Sequence, residues 1–136
     1  MARIQVDRYH AAARRRILAG LIAFNAEKVG KSSYKALTIT LRESRRIVGG
    51  VAGWTWKDWC LIDLLWIEAA HRGKGRGAAL IGRAEAEARK RGAKYVFLDT
   101  FSFQAPGFYR KLGYKEFGRL KNFPSGHSRY FSQKTL

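Results

Sequence analysis

The stretch "HRGKGRGAAL", residues 71–80, sets three glycines and three cations among its first seven positions and then runs into an alanine- and leucine-rich segment. Before it, "WCLIDLLWI" (59–67) is apolar apart from Asp63, the pattern of a strand covered on both faces. After it, "ALIGRAEAEARKRG" (79–92) gathers Leu80, Ile81, Ala84 and Ala88 into an apolar helical stripe opposite Arg83, Glu87 and Arg91, with Gly92 as the stop. "KYVFLDT" (94–100) then reads as a second buried strand. The order strand, turn, helix, strand specifies a right-handed βαβ crossover with parallel strands. It also places the glycines between a strand end and a helix N-terminus, where unpaired backbone N–H groups and the positive end of the helix dipole hold phosphate.

The kind of phosphate ligand is narrowed by what surrounds the glycines. A P-loop ends in Gly-Lys-Ser/Thr because the hydroxyl reaches magnesium, whereas Gly77 is followed by Ala78 and Ala79. Gly73, Gly75 and Ala78 do fit the dinucleotide pattern G-x-G-x-x-A, with Asp99 as the ribose-binding acid. Against that pattern, residues 68–72 separate the strand from the first glycine where an immediate turn is wanted, and one βαβ unit is half of such a fold.

Outward from this unit, Arg3 to Val6 reads as a short strand and residues 7–30 as one or two helices, with Asp7 as cap, Gly20 as a break and Gly30 as stop. "YKALTITLRE" and "RIVGGVAGWTW" read as a hairpin across "ESR", with Gly49, Gly50 and Gly53 marking a bulge. "SFQAPGFYRKLGY" (102–114) reads as a short helix with Pro106 in its first turn and Gly113 at its end. "YKEFGRL" and "SRYFSQKTL" close the chain as two antiparallel strands around "KNFPSGH". The expected fold is mixed α/β in the order (β)ααββ, βαβ, αββ, a single domain over residues 1–136 with a central mixed sheet and helices on both faces.

Composition limits the functions this fold can carry. No run of eighteen apolar residues crosses a membrane, and the N-terminus lacks the apolar centre of a secretory signal, so a cytoplasmic protein is expected. The lone Cys60 forms no internal disulfide, and three histidines give no cluster at zinc spacing, so no metal is expected. The formal charge of +17 concentrates anions at the surface, whether nucleotide cofactor, nucleic acid or acidic lipid, without choosing among them.

"LLWIEAAHRGKGRGAALIGRAEAEARKRG" resembles the acetyl-coenzyme A signature of the GCN5-related N-acetyltransferase (GNAT) superfamily: an aliphatic strand end, about four residues, then R/Q-x-x-G-x-G/A opening a long helix. Arg72, Gly75 and Gly77 stand on its fixed positions, and Ala105, Phe108, Tyr109, Lys111, Gly113 and Tyr114 match the superfamily's second motif, AxxFYxKxGY. The resemblance implies that backbone groups of Leu65, Trp66 and Ile67 hold the pantetheine arm and acetyl carbonyl. It implies likewise that amides from Arg72 through Gly73, Lys74, Gly75, Arg76 and Gly77 to Ala78 take the pyrophosphate. In the same reading the Ile67 N–H stabilises the oxyanion, Tyr109 protonates the leaving thiolate, and Ser102, Ala105 and Phe108 contact the cofactor; Ser102 stands where the family often has asparagine.

The resemblance implies a direct transfer of acetyl from acetyl-CoA to a primary amine of a small molecule or protein. Glu68, Asp99, Thr100 and His127 are candidates for the general base. His127, with Tyr130 and Phe123, is also a candidate for lining the acceptor site, as is Asp99. Asp63 is expected either to pair with a cation or to face the acceptor. Trp54, Trp56, Trp59 and Trp66 are read as core or dimer packing, or as an aromatic wall for the acceptor. The strongly basic surface favours a small, neutral or acidic amine, and the aromatic exterior favours a homodimer. The rival reading is a basic nucleic-acid or ribosome-binding module that keeps the fold without activity.

Overall fold

The computed structural model describes all residues, Met1 to Leu136. The chain divides into two compact units, Met1–Ser33 and Tyr34–Leu136. The first contains one helix, α1 (Ala11–Val29). Residues 3–6 form no strand, contrary to expectation, since so short a run gains nothing without a partner strand. The cap is His10, whose Nδ1 accepts from the Ala13 amide at 3.0 Å, while Asp7 accepts from Gln5 instead. Gly20 does not divide the helix: its cost of about 1 kcal/mol is absorbed among alanines and leucines.

The second unit is a six-stranded sheet built from β1 (Lys35–Glu43), β2 (Arg46–Trp56), β3 (Trp59–Ile67), β4 (Tyr95–Phe101), β5 (Lys115–Lys121) and β6 (Ser128–Thr135), in the order β1-β2-β3-β4-β6-β5. Between β3 and β4 run a single 3₁₀ turn (Ala69–His71) and α2 (Arg76–Lys90); α3 (Pro106–Lys111) precedes β5. Only β3 and β4 pair in parallel, as the crossover requires. The apolar stripe of α2, Leu80, Ile81, Ala84 and Ala88, meets Leu37, Val51, Cys60, Ile62, Val96 and Leu98 of the strands. Burying Leu80 and Ile81 contributes about 2 kcal/mol each. From α3, Phe108, Tyr109 and Leu112 pack against the same core. Across this packing, Glu85 of α2 accepts from the Tyr114 hydroxyl at 2.7 Å and from Lys134 Nζ at 3.0 and 3.1 Å.

Two details of β3 position the site. The strand is not covered on both faces throughout: the register with β2 shifts between Ala52 and Gly53, and Asp63 has no partner there. Asp63 is therefore solvated, neither ion-paired nor buried, and Leu64 and Trp66 beyond it are 64% and 53% exposed. Second, β3 pairs with β4 only from Trp59 to Ile62, opposite Tyr95 to Leu98. Past that point β3 continues to Ile67 and β4 to Phe101 without pairing with each other, while β4 stays bonded to β6. A gap opens in the middle of the sheet on the side of the glycine turn.

Candidate active site

The glycine turn is an anion cradle in its backbone. Gly73 and Gly75 both adopt positive φ, 74° and 73°, and Gly75 is the N-cap of α2 without any side-chain cap bond. The left-handed conformation at Gly75 turns the chain so that the first amides of α2 point outward, a geometry costly for residues with a Cβ. The amides of residues 73–78 donate to no group of the chain, and the first turn holds no acidic residue to neutralise the helix dipole. Gly77 has a separate reason: a Cβ there would lie 3.1 Å from the Phe108 ring. The two sequence motifs thus meet in space, α3 being packed onto the first turn of α2.

The backbone of β3 completes the site. The Glu68 amide donates to the Val48 carbonyl at 2.8 Å, so in the alternating antiparallel ladder Trp66 faces β2, and the N–H and C=O of Leu65 and Ile67 point the other way. That direction is the gap left by β4. The Ile67 carbonyl already accepts from Arg72 Nε at 2.7 Å, which ties the fixed arginine of the motif to the strand end. An extended amide-bearing arm therefore finds strand-like donors and acceptors in the gap and a phosphate cradle at its mouth. The residues present fit an acyl-CoA, and the N–H of Ile67 is free to donate to a carbonyl oxygen on which charge develops.

Around this centre the predicted side chains separate into groups. Both Glu68 oxygens accept from Arg46 Nη1, at 2.9 and 3.0 Å, and this bond holds the Glu68 carboxyl below its ordinary pKa. His71 was not singled out from sequence, yet its Nδ1 lies 2.6 Å from Arg76 Nη1 and its Nε2 2.9 Å from Glu43. Arg76 is thus held by the loop itself. Tyr109 packs edge-on to Phe108 and Tyr114, and its hydroxyl has no partner within the chain. Burial first, and the charge of Asp99 second, raise its pKa, so the phenol stays protonated. Ser102 holds the end of β4 against β6: its hydroxyl accepts from the Ser128 amide at 3.0 Å and lies 3.3 Å from His127 Nδ1. Ala105 caps α3, its carbonyl accepting from the Phe108 amide.

Asp99 and Tyr130 stand on opposite faces of the sheet. Thr100 and Ser132 are buried on the α2 face, and Tyr130, paired with Thr100, lies on that side beneath Arg119, 4.5 Å from its ring centre. With Arg110, Arg119 and Ser132 it lines a small cavity of about 90 Å³. On the other face Asp99 accepts two hydrogen bonds from Arg129, both 2.8 Å. Around Arg129 stand Phe101, Phe123 and Phe131, and Phe103 stacks on Phe101. Arg129, Phe101 and Phe103 escaped the sequence reading, because only the pairing of β4 with β6 brings them together. Trp54, Trp56 and Trp59 pack with Tyr34, Tyr95 and Phe97 at the opposite end of β3 from the glycine turn. They are a packing cluster and form no wall beside the cradle.

The forked sheet, the glycine cradle and α3 seated upon it define an acyltransferase of the GNAT type. A family model described as "Acetyltransferase (GNAT) domain" matches residues 35–116, and the chain belongs to that family. It is 38% identical over 100 residues to the blasticidin-S acetyltransferase of Streptomyces morookaense, covering 73% of this chain and 74% of that one. It is 36% identical over 109 residues to an acetyltransferase of Agrobacterium fabrum, covering 79% and 80%. A solved structure of an Agrobacterium tumefaciens protein, 33% identical, superposes with a TM-score of 0.92 over 100% of both chains. The chain is a GNAT acetyltransferase.

Proposed function

We propose that the protein transfers acetyl from acetyl-CoA directly to a primary amine of a small molecule. The observation that carries this reading is the divergence of β3 from β4 directly before the cradle, with Leu65 and Ile67 turned into the gap. Amides 73–78 hold the pyrophosphate, the Arg72 amide expected among them being bonded instead to the Ala69 carbonyl at 3.3 Å, and the Ile67 N–H stabilises charge on the acetyl oxygen. The Tyr109 hydroxyl gives its proton to the departing sulfur. Arg72 acts on the strand end, fixing the Ile67 peptide through its carbonyl. The relative named for blasticidin-S supports a small-molecule acceptor over a protein one. A thiol-release assay with acetyl-CoA and a panel of small amines tests the reading: amine-dependent release is expected, and its absence across the panel with bound cofactor contradicts it.

A further inference from the structure

The face of the sheet turned away from α2, with the loops at the mouth of the gap, has two features that no catalytic role above uses. The first concerns charge. A protonated amine must lose a proton before it attacks a thioester, so an enzyme for alkylamines needs a base in reach. Each carboxylate near the gap is already engaged: Glu68 with Arg46 at 2.9 and 3.0 Å, and Asp99 with Arg129 through two bonds of 2.8 Å. Glu43 lies against His71 at 2.9 Å. Asp63 is unpaired, but it sits at the closed end of the gap, four strand residues and so roughly 13 Å from Ile67. The remaining group is the imidazole of His127, in the β5–β6 loop beside Ser102.

The second feature is an aromatic shelf. Phe101 and Phe103 stack with ring centres 5.2 Å apart and planes within 24°. Phe123 leans on Phe101 at 5.5 Å, and His127 meets Phe103 edge-on at 5.1 Å. Arg129 supports the shelf from below, its charge matched by Asp99 and its guanidinium 5.2 and 5.5 Å from the centres of Phe123 and Phe101. Phe103 is nevertheless 56% exposed and Phe123 42% exposed. Counted on from Ile62 opposite Leu98, Phe101 falls level with Leu65 on the far strand of the gap, beside the strand end where the acetyl group is held in the reading above. Exposed stacked rings beside a reaction centre are a surface for another flat ring.

Resting on the transferase reading above, we infer that the acceptor is a primary amine borne directly on a planar aromatic or heteroaromatic ring. Such an amine is neutral at pH 7, unlike an alkylamine with a pKa near that of lysine, roughly 10.4. It needs no base before attack, which matches a site whose carboxylates are bound to arginines. The ring lies on Phe103 and Phe123 with its amine toward the Ile67 carbonyl region. The nitrogen forms its bond to the acyl carbon and the carbon–sulfur bond breaks with its electron pair on sulfur. One amine proton passes to His127 or solvent, and Tyr109 protonates the sulfur.

The test uses the purified full chain, saturating acetyl-CoA and three probes: 4-aminobenzamide, 4-(aminomethyl)benzamide and butylamine. The expected kcat/KM at pH 7 is about tenfold higher for 4-aminobenzamide than for 4-(aminomethyl)benzamide, with butylamine lowest. Phe103→Ala should raise KM for 4-aminobenzamide about tenfold and leave KM for acetyl-CoA within about twofold, and Phe103→Tyr should restore the parent value. Preference for either alkylamine, or indifference to Phe103→Ala, overturns the inference. If acetyl-CoA stabilises the fold but 4-aminobenzamide is not acetylated, the substrate class falls while the transferase reading stands. If acetyl-CoA does not bind, both fall.

Discussion

Glu68 gives both of its carboxylate oxygens to one guanidinium nitrogen of Arg46, joining the residue that follows β3 to the first residue of β2. A carboxylate so engaged is a poor general base, since its pKa is lowered by the arginine hydrogen bond. Glu68→Gln is expected to leave kcat within about threefold of the parent; a loss of a hundredfold or more, the scale of removing a general base, would return Glu68 to the chemistry. The linkage has a definite sign. The folded pKa lies below the ordinary 4.5, so the pair's contribution to stability is present above that pH and fades as pH falls below it. The difference in Tm between parent and Glu68→Gln should therefore shrink on acidification below pH 4.5. A difference that grows there contradicts the assignment.

Gly77 and Phe108 connect the two motifs. Gly77→Ala brings a methyl group to 3.1 Å from the Phe108 ring, so the ring must give by a few tenths of an ångström against the first turn of α2. A rise in Kd for coenzyme A of about tenfold is expected, and Phe108→Leu should recover part of it in a double-mutant cycle. Additive effects of the two changes would show that the contact does not couple cradle and helix.

Tyr109 has its pKa raised by burial and by Asp99, so as the acid it remains protonated through the whole working range. The pH profile of kcat should have no descending limb assignable to Tyr109 below pH 10. Tyr109→Phe should lower kcat by about a hundredfold while leaving Kd for coenzyme A nearly unchanged. An unaltered kcat removes the phenol from the reaction.

Cys60 lies fully buried on β3, and burial pushes its thiol up to about 11. Native protein at pH 8 should resist alkylation, and the single cysteine should label fully in denaturant. Rapid native labelling would contradict the placement of β3 at the centre of the sheet.

The buried tie among Tyr114, Glu85 and Lys134 is structural. Tyr114→Phe removes a 2.7 Å bond to a carboxylate only 7% exposed and should cost about 2 kcal/mol in urea unfolding. No measurable loss would mean that Lys134 alone satisfies Glu85.

The βαβ unit and the cradle were legible in the sequence because their signals are local. Glycines after an apolar strand, an apolar stripe at helical spacing and a second strand are each read from neighbouring residues. The bulge at Gly53 was legible for the same reason. Its consequence was not: the displacement of Asp63 into solvent depends on how β2 pairs with β3. The Asp99–Arg129 pair and the phenylalanines around it depend on β4 meeting β6 across thirty residues, and the face of the sheet that Tyr130 takes depends on the same pairing. His71 stood in plain view among the glycines, and only the turn of the loop brings Glu43 and Arg76 to its two nitrogens.

In the proposed complex acetyl-CoA lies in the fork of the sheet with its pyrophosphate on the glycine turn. Titration of ¹⁵N-labelled protein with acetyl-CoA, followed through backbone amide resonances, tests it most directly. The largest shifts are predicted for the amides of residues 73–78 and for Leu65 and Ile67. Saturable binding that leaves those amides unmoved, or no binding at all, would contradict the account.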